Sequence, residues 1–310
     1  MSSTDRKWLP LLALSLMVAV MPAQDRAALV EDEVLQARIE AACERLRGAG
    51  KLVSCADLLK SAGEARAPLA FAEAAPKSPR REPEDVYDLV RKSARIVGHY
   101  YLCKECDDWH FSPSSGFCID AGGLVATCAH VLPADEGMRT AYLVTADLAG
   151  NVWPVERVAA QDGWADVAVL ATAERGGAAL PLASSCRVGS RIYCLSNPDG
   201  QFGYFSEGLV ARRYLWREPA DPDGPDDGPR GPALPWLDVT CEFAKGSSGA
   251  PIVDATGALV GIAQATLTVI YDEEARVVDT QMVVHSAAPV ESLRTLLRSG
   301  GSKPRVAAPK

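Results

Sequence analysis

The chain has 310 residues, of which 48% are hydrophobic and 23% are charged, and its formal net charge is −8. This length allows one large hydrophobic core or two smaller ones. The acidic balance, without a basic stripe interleaved with aromatic residues, argues against a nucleic-acid partner and against an anionic membrane surface.

The amino terminus has the pattern of a secretory signal peptide over residues 1–23. Arg6 and Lys7 precede a short apolar stretch that ends in small residues at Ala23. Met21 is large for its position before that cleavage site, so two alternatives stay open. A cleaved signal predicts a secreted or periplasmic protein, and an uncleaved signal predicts a membrane anchor and hence a membrane partner.

Residues 24–62 follow with apolar residues at helical spacing, interrupted at 48–50 by two glycines. This pattern predicts a small helical hairpin. Cys43 and Cys55 lie on its two arms, where a disulfide bond would join them in an oxidising compartment. The next segment, 63–83, is rich in alanine, proline and charge and is expected to be a flexible linker.

Three later segments carry residues suited to acyl transfer. The sequence GSSGAP at 246–251 predicts a tight turn that exposes a serine beside converging backbone N–H groups. A predicted hairpin over 115–127 delivers His130 at its end, and Asp166 stands before an apolar strand. Each residue alone has an ordinary structural explanation, but the three in this order predict a catalytic triad.

These motifs resemble those of the trypsin-like (chymotrypsin-fold) serine peptidases, most closely the HtrA/Deg branch, over about residues 86–298. The segments that carry the resemblance are 115–131, 165–170, 196–200, 206–210 and 245–262. The resemblance implies an all-β fold of two six-stranded antiparallel β-barrels, here with a small N-terminal helical segment and a protease domain at 84–299. The resemblance also implies that no cofactor is required and that the partners are protein or peptide substrates. A homo-oligomer stays open.

Many HtrA relatives append a PDZ domain. We expect this chain to lack one, because only a short tail, 300–310, follows the predicted protease domain. That tail is expected to be disordered.

The resemblance makes His130 the general base, Asp166 its orienting partner and Ser248 the nucleophile. The backbone N–H groups of Gly246 and Ser248 would form the oxyanion hole. A serine hydroxyl is a poor nucleophile at neutral pH, so an imidazole must take its proton, and an aspartate holds the imidazole in the required tautomer.

The leading function is therefore a serine endopeptidase. One alternative is a non-catalytic peptide-binding or chaperone-like module on the same fold. An esterase is the other alternative, which the absence of a Gly-x-Ser-x-Gly elbow and of the order Ser, Asp, His disfavours.

The sequence Arg-Ile-Val-Gly at 95–98 is similar to the site at which digestive trypsin-like enzymes are cleaved during activation. Their new amino group pairs with an aspartate just before the catalytic serine, and here that position is Ser247. We therefore expect Ile96 to stay inside an intact strand, with no cleavage needed for activity.

The resemblance implies that Glu242, Ala263 and Gln264 line the substrate pocket. A buried Glu242 would favour a basic residue before the scissile bond, and a surface-facing glutamate is the alternative. The acidic segment 218–235, rich in proline and glycine, is expected to be a solvated loop.

The chain has nine cysteines, an odd number, so at least one is unpaired in a monomer. The spacing Cys103-x2-Cys106-x3-His110 suits two thiolates and an imidazole on one zinc ion. A tetrahedral zinc site needs a fourth ligand, and the sequence offers no second pair of this kind, so a local disulfide and reduced thiols stay open.

Two further pairs of cysteines are candidates for disulfide bonds. The register of the predicted hairpin places Cys118 near Val125, so a direct bond to Cys128 is not implied. A bond between Cys194 and Cys241 in the second barrel stays open. Cys128 is not expected to act as a nucleophile, because His130 is committed to the serine.

Overall fold

The computed structural model describes residues 29–62, 67–75, 78–218, 230–270 and 280–303. The predicted signal segment, 1–23, lies outside these residues. Within the described ranges, no helix is long and apolar enough to span a membrane.

Four α-helices lie in the described part of the chain. Two form the predicted N-terminal hairpin, one precedes the first strand and one follows the last long strand. They are α1 (Asp32–Gly48), α2 (Cys55–Ser61), α3 (Pro83–Ser93) and α4 (Val290–Ser299).

The first six strands form one closed, antiparallel ring. Their spatial order is β5-β4-β1-β2-β3-β6, and pairing of β6 with β5 closes the ring. The strands are β1 (Ala94–Cys103), β2 (Trp109–Cys118), β3 (Leu124–Thr127), β4 (Met138–Ala146), β5 (Val152–Asp162) and β6 (Val167–Thr172).

The next six strands close a second antiparallel barrel in the order β10-β11-β12-β9-β8-β7. The fold prediction of two six-stranded barrels is therefore confirmed. The strands are β7 (Arg191–Ser196), β8 (Tyr204–Glu218), β9 (Arg230–Val239), β10 (Pro251–Asp254), β11 (Leu259–Ile270) and β12 (Thr280–Pro289).

Ile96 lies inside the intact strand β1, as predicted. It is fully buried and its backbone pairs with Ser115 of β2 and Ala146 of β4. Arg95 beside it is also buried, so the peptide bond between these residues is covered on both sides.

The helical hairpin packs on the barrels. Leu35, Ile39 and Cys43 of α1 join Ile96 and Tyr100 of β1 in one apolar cluster. The N-terminal half of the helix is also fixed by two hydrogen bonds. The Asp32 carboxylate accepts the N–H of Phe202 at 2.9 Å, and the Arg38 guanidinium donates to the carbonyl of Ala149 at 2.8 Å. The hairpin is thus part of the same packed unit as the first barrel.

The expectation of a flexible linker at 63–83 is wrong for residues 67–75. Leu69 N–H donates to the carbonyl of Leu297 in α4, and the backbones of Ala72 and Ala74 exchange hydrogen bonds with Leu182. The Glu73 carboxylate meets the Arg294 guanidinium at 2.9 Å. The composition suggested a linker, but Leu69 and Phe71 supply apolar contacts to the core that hold it in place.

Part of the expected disordered tail at 300–310 is ordered. Ser302–Lys303 form a short strand, β13, that pairs in parallel with β5. Residues 304–310 lie outside the described part of the chain.

The expectation of a loop over 218–235 is also wrong at its ends, because β8 reaches Glu218 and β9 begins at Arg230. Residues 219–229 are outside the described ranges. Gly231, at φ +71°, lies against Trp164 of the first barrel, where an added Cβ would come within 2.2 Å of the ring. Glycine therefore lets this hairpin of the second barrel touch the first.

All nine cysteines are free thiols, so the disulfide expectation is not supported. Cys43 lies in the cluster under α1, whereas Cys55 lies in the main core, which separates the two arms of the predicted bond. Cys118 pairs with Val125, as the register predicted.

The proposed bond between Cys194 and Cys241 is likewise absent. Both thiols are buried in the second barrel and in hydrogen-bond contact with each other. Their contact and their burial raise the pKa of Cys194 well above its usual value.

A buried ion pair joins the beginning of β1 to the segment after β6. The Arg95 Nε donates to the Glu174 carboxylate at 2.9 Å, and the two side chains are only 5% and 4% exposed. Replacing Glu174 by glutamine would leave the Arg95 charge buried without its partner.

We expect Glu174→Gln to lower the free energy of unfolding by about 3–5 kcal/mol, because a buried charge that loses its partner keeps its desolvation cost. The control is Arg91→Ala, which breaks the exposed Asp88–Arg91 pair of α3 and should cost about 0.5 kcal/mol or less. Chemical denaturation measures both. Equal, small losses would show that the buried pair contributes nothing.

Candidate active site

His130 lies on a short 3₁₀ turn, Ala129–Val131, immediately after β3. The turn lifts the ring out of the first barrel, so its side chain is 50% exposed at the surface that faces the second barrel. The predicted hairpin thus delivers the histidine to its end, as the sequence indicated.

Asp166 lies between β5 and β6 with φ +54°, a left-handed conformation that is uncommon for residues other than glycine. One carboxylate oxygen accepts the backbone N–H of His130 at 2.8 Å, and the other lies 2.6 Å from His130 Nδ1. The carboxylate therefore fixes both the backbone and the ring of the histidine.

Ser248 completes the group from the second barrel. Its Oγ lies 2.9 Å from His130 Nε2, on the opposite side of the ring from Asp166. The structure thus brings all three predicted side chains into one hydrogen-bonded chain that crosses between the barrels.

The electrostatic surroundings set the protonation of His130. Burial of the ring lowers its pKa, but the hydrogen bond and the charge of Asp166 together raise it by more. The net pKa lies above the usual histidine value. His130 is therefore neutral, and able to accept a proton, only when the pH is above this raised pKa.

The backbone at Gly246 is fixed in a defined orientation. The carbonyl of Lys245 accepts the N–H of Asp199 at 2.7 Å, and a planar trans peptide points the N–H of Gly246 the opposite way. Gly246 has φ +92°, and an added Cβ would come within 2.5 Å of the Asn197 carbonyl oxygen. Only glycine fits this turn.

Ser115, which the sequence reading did not single out, holds the same turn. Its Oγ donates to the carbonyl of Gly246 at 3.0 Å and accepts from the backbone N–H and the side-chain amide of Asn197 at 3.1 and 3.0 Å. Its backbone N–H donates to the carbonyl of Ser248 at 3.0 Å. Both residues are buried, so these contacts are shielded from water.

Gln264 differs from its predicted role as a pocket wall. It is buried, and its amide nitrogen donates to the carbonyls of Ala165 and Asp166 at 2.8 and 3.1 Å. Its backbone carbonyl oxygen lies 3.3 Å from Ser248 Oγ, farther than His130 Nε2 at 2.9 Å. Gln264 therefore positions the segment that carries Asp166. Ala263 is buried as well, and its carbonyl accepts the N–H of Gly249.

Glu242 is at the surface, with its side chain 70% exposed and one carboxylate oxygen 3.5 Å from His285 Nε2. It is therefore not the buried acid of a pocket for basic residues. The surface-facing alternative describes it better.

An apolar cavity of about 490 Å³ lies beside His130 and Asp166. Three tryptophans from both barrels line it together with Leu59 and Pro133. Trp216 and Trp236 of the β8–β9 hairpin pack with ring centroids 5.0 Å apart and planes tilted by 31°, and Trp164 comes from the segment before Asp166. The cavity was not predicted from the sequence, because its three tryptophans come from separate segments of the chain.

Two groups of side chains have atoms close enough to hold a metal ion. One consists of Cys128, His130 and Asp166. Here the imidazole and carboxylate already bind each other, and burial raises the pKa of the Cys128 thiol well above its usual value. Burial therefore favours the protonated form of the Cys128 thiol.

The other group is the predicted set of Cys103, Cys106 and His110, whose donor atoms lie within 4.8 Å of one another. It lies on the β1–β2 hairpin. None of its members contributes to the chain of hydrogen bonds at Ser248.

Comparisons with known proteins agree with this architecture. The family described as "Trypsin-like peptidase domain" matches residues 114–262. No curated protein sequence matches the chain.

Among solved structures, the chain is similar to the active form of Rv3671c protease from M. tuberculosis, with 19% identity, a TM-score of 0.53, and coverage of 77% of this chain and 97% of that one. An inactive mutant form of Rv3671c from M. tuberculosis H37Rv gives 16% identity, a TM-score of 0.50, and coverage of 74% and 95%. The crystal structure of Deg5 has 21% identity to this chain and a TM-score of 0.49. The match covers 71% of this chain and 95% of Deg5.

At these identities the likeness to Rv3671c establishes the fold, and the family match covers the segment that contains His130, Asp166 and Ser248. Residues 114–262, which include strands of both barrels, thus match a trypsin-like peptidase domain.

Proposed function

We propose that this protein is a serine endopeptidase of the HtrA type that hydrolyses peptide bonds of protein substrates. The observation that carries the proposal is the continuous chain of contacts from Asp166 through His130 to Ser248, with distances of 2.6 and 2.9 Å. This is the relation of orienting acid, base and nucleophile that acyl transfer from an amide requires.

In the proposed reaction, His130 Nε2 takes the proton of Ser248 as Oγ attacks the carbonyl carbon of the scissile bond. Asp166 holds Nδ1–H and stabilises the imidazolium that forms. His130 then gives its proton to the leaving amine, which leaves an acyl-enzyme at Ser248. A water molecule, deprotonated by His130, releases the acid product by the same steps.

The backbone N–H groups of Gly246 and Ser248 are proposed to stabilise the negative oxygen of each tetrahedral intermediate. The orientation of the Lys245 carbonyl toward Asp199 supports this assignment, since it directs the adjoining N–H of Gly246 away from that contact. A preoriented oxyanion site favours the catalytic function over a non-catalytic peptide-binding or chaperone-like module.

The proposed enzyme works without cleavage after Arg95. Ile96 is buried within β1, and Ser247 offers no carboxylate to a new amino terminus. We further propose that residues 1–23 direct the enzyme out of the cytoplasm, on the strength of their sequence pattern.

The first test is labelling with a fluorophosphonate probe, which reacts with an activated serine. We expect the wild type to be labelled and Ser248→Ala to be unlabelled, with peptide hydrolysis reduced about 10⁴-fold or more. Ser247→Ala is the matched control because its hydroxyl is fully buried beside the nucleophile, and it should retain the label. An unlabelled wild type would favour the non-catalytic alternative.

The contacts of Ser115 generate a second prediction. Ser115→Ala removes the hydroxyl that bonds the Gly246 carbonyl, so the oxyanion turn loses a fixed contact while the triad residues stay in place. We expect kcat to fall about 10- to 100-fold with little change in KM, since misorientation acts on the transition state.

The control for Ser115 is Ser112→Ala, an exposed serine on the same strand, which should leave kcat unchanged. Steady-state kinetics with one peptide substrate measures both variants. An unchanged kcat in Ser115→Ala would show that the turn keeps its orientation without this contact.

The tryptophan-lined cavity leads to a proposal on specificity. Its walls are largely apolar, and it adjoins the histidine and aspartate of the proposed triad. We propose that it receives a large apolar side chain of the substrate near the scissile bond, because burial there removes apolar surface from water.

A peptide library that varies each position around the scissile bond tests this preference. We expect Trp236→Ala to lower kcat/KM for substrates with a large apolar residue at the selected position by about 10- to 100-fold. Substrates with glycine there serve as the matched control and should be cleaved equally by both enzymes. Equal losses for both substrate classes would mean that the cavity does not bind the substrate.

A further inference from the structure

The β1–β2 hairpin carries a cluster of metal-binding side chains that the proposed peptidase reaction does not use. Cys103 ends β1, Cys106 lies in the turn, and His110 lies near the beginning of β2. Their donor atoms lie within 4.8 Å of one another, and Cys106 Sγ is 3.0 Å from His110 Nε2. This spacing permits all three to contact one ion.

The backbone holds these donors in place. His110 is paired with Tyr101 across the two strands, and the N–H of Cys103 donates to the carbonyl of Asp108 at 2.9 Å. The N–H of Lys104 donates to the carbonyl of Gly137 at 3.0 Å, which ties the turn to the neighbouring loop. The geometry of the cluster is therefore set by the hairpin.

The turn also directs N–H groups at the sulfur atoms. The N–H of Glu105 lies 3.4 Å from Cys103 Sγ, and the N–H of Cys106 donates to the same sulfur. The N–H of Asp108 donates to Cys106 Sγ. These contacts fix the positions of both sulfur atoms within the turn.

We propose that Cys103, Cys106 and His110 bind one thiophilic divalent cation of the Zn²⁺ class. Two sulfurs and one imidazole nitrogen suit Zn²⁺ and exclude the hard cations Mg²⁺ and Ca²⁺, which require oxygen ligands. Binding releases the two thiol protons, so two thiolates balance the charge of the ion. The fourth tetrahedral position is open to water or to a ligand from another molecule.

The competing chemistry for the same residues is a disulfide bond between Cys103 and Cys106. This bond would consume both sulfurs and would not depend on His110. A metal site, by contrast, requires the imidazole. The contribution of His110 therefore separates the two.

The test is metal binding by the full chain, purified under reducing conditions and loaded with either Zn²⁺ or Co²⁺. We expect about one ion per chain, and with Co²⁺ the visible bands of tetrahedral coordination together with a near-ultraviolet thiolate charge-transfer band. Added Zn²⁺ should raise the thermal midpoint of the wild type.

Cys106→Ser and His110→Ala should each reduce the bound metal well below one ion per chain and remove the shift in thermal midpoint. Glu105→Gln, in the same turn but outside the ligand set, is the matched control and should bind as the wild type does. Thermal unfolding without added metal checks that each variant folds.

Three results would overturn the proposal. The first is a reduced wild type that takes up no Zn²⁺ or Co²⁺. The second is metal binding that persists in both ligand variants. The third is a Cys103–Cys106 disulfide in the purified chain, identified by peptide mass mapping, together with a reduced chain that still binds no metal.

Discussion

The hydrogen bonds of Ser115 hold the two barrels in the register that the active site requires. Ser115 belongs to β2 of the first barrel, yet its backbone N–H and hydroxyl bond the carbonyls of Ser248 and Gly246 in the second. His130 and Asp166 also come from the first barrel. A small shift between the barrels would separate His130 from Ser248, so the proposed site depends on this inter-barrel contact.

The backbone strain at Asp166 is stabilised by the same junction. A left-handed backbone at aspartate costs on the order of 1–3 kcal/mol, and it persists only where surrounding contacts fix the conformation. Here the carboxylate bonds the N–H and the ring of His130, while the carbonyl accepts the amide of Gln264 from the second barrel. The strain therefore aims the carboxylate at the histidine, and contacts from both barrels maintain it.

The positions of His130, Asp166 and Ser248 were predictable from sequence because each residue lies at the end of a short local element. The turn after β3, the segment before β6 and the GSSGAP turn each have a recognisable local pattern. Ser115, Asn197 and Gln264 were not predictable in their roles, because those roles arise from contacts between segments more than 80 residues apart. The tryptophan-lined cavity was not predicted for the same reason. The need for glycine at position 231 follows only from its contact with Trp164, a distant residue in the sequence.

Composition misled where a polar or small segment had a distant partner. Residues 67–75 look like a linker, but their backbone N–H and carbonyl groups bond Leu297 and Leu182. The pairing of Cys43 with Cys55 failed because the two helices bury their cysteines in different apolar clusters. Local residue spacing predicts neither outcome. Both depend on hydrogen bonds and apolar contacts with distant segments of the chain.

The proposed metal cluster and the proposed catalytic site are connected by one strand. β2 contains both His110, near the hairpin, and Ser115, which bonds the proposed oxyanion turn. Residues between them are already paired with β1, from Phe111 opposite Tyr100 to Ser115 opposite Ile96. Because this ladder fixes the strand through its own hydrogen bonds, an ion at the hairpin would stabilise the turn without moving Ser115. Metal occupancy and turnover are therefore separable properties of the same strand.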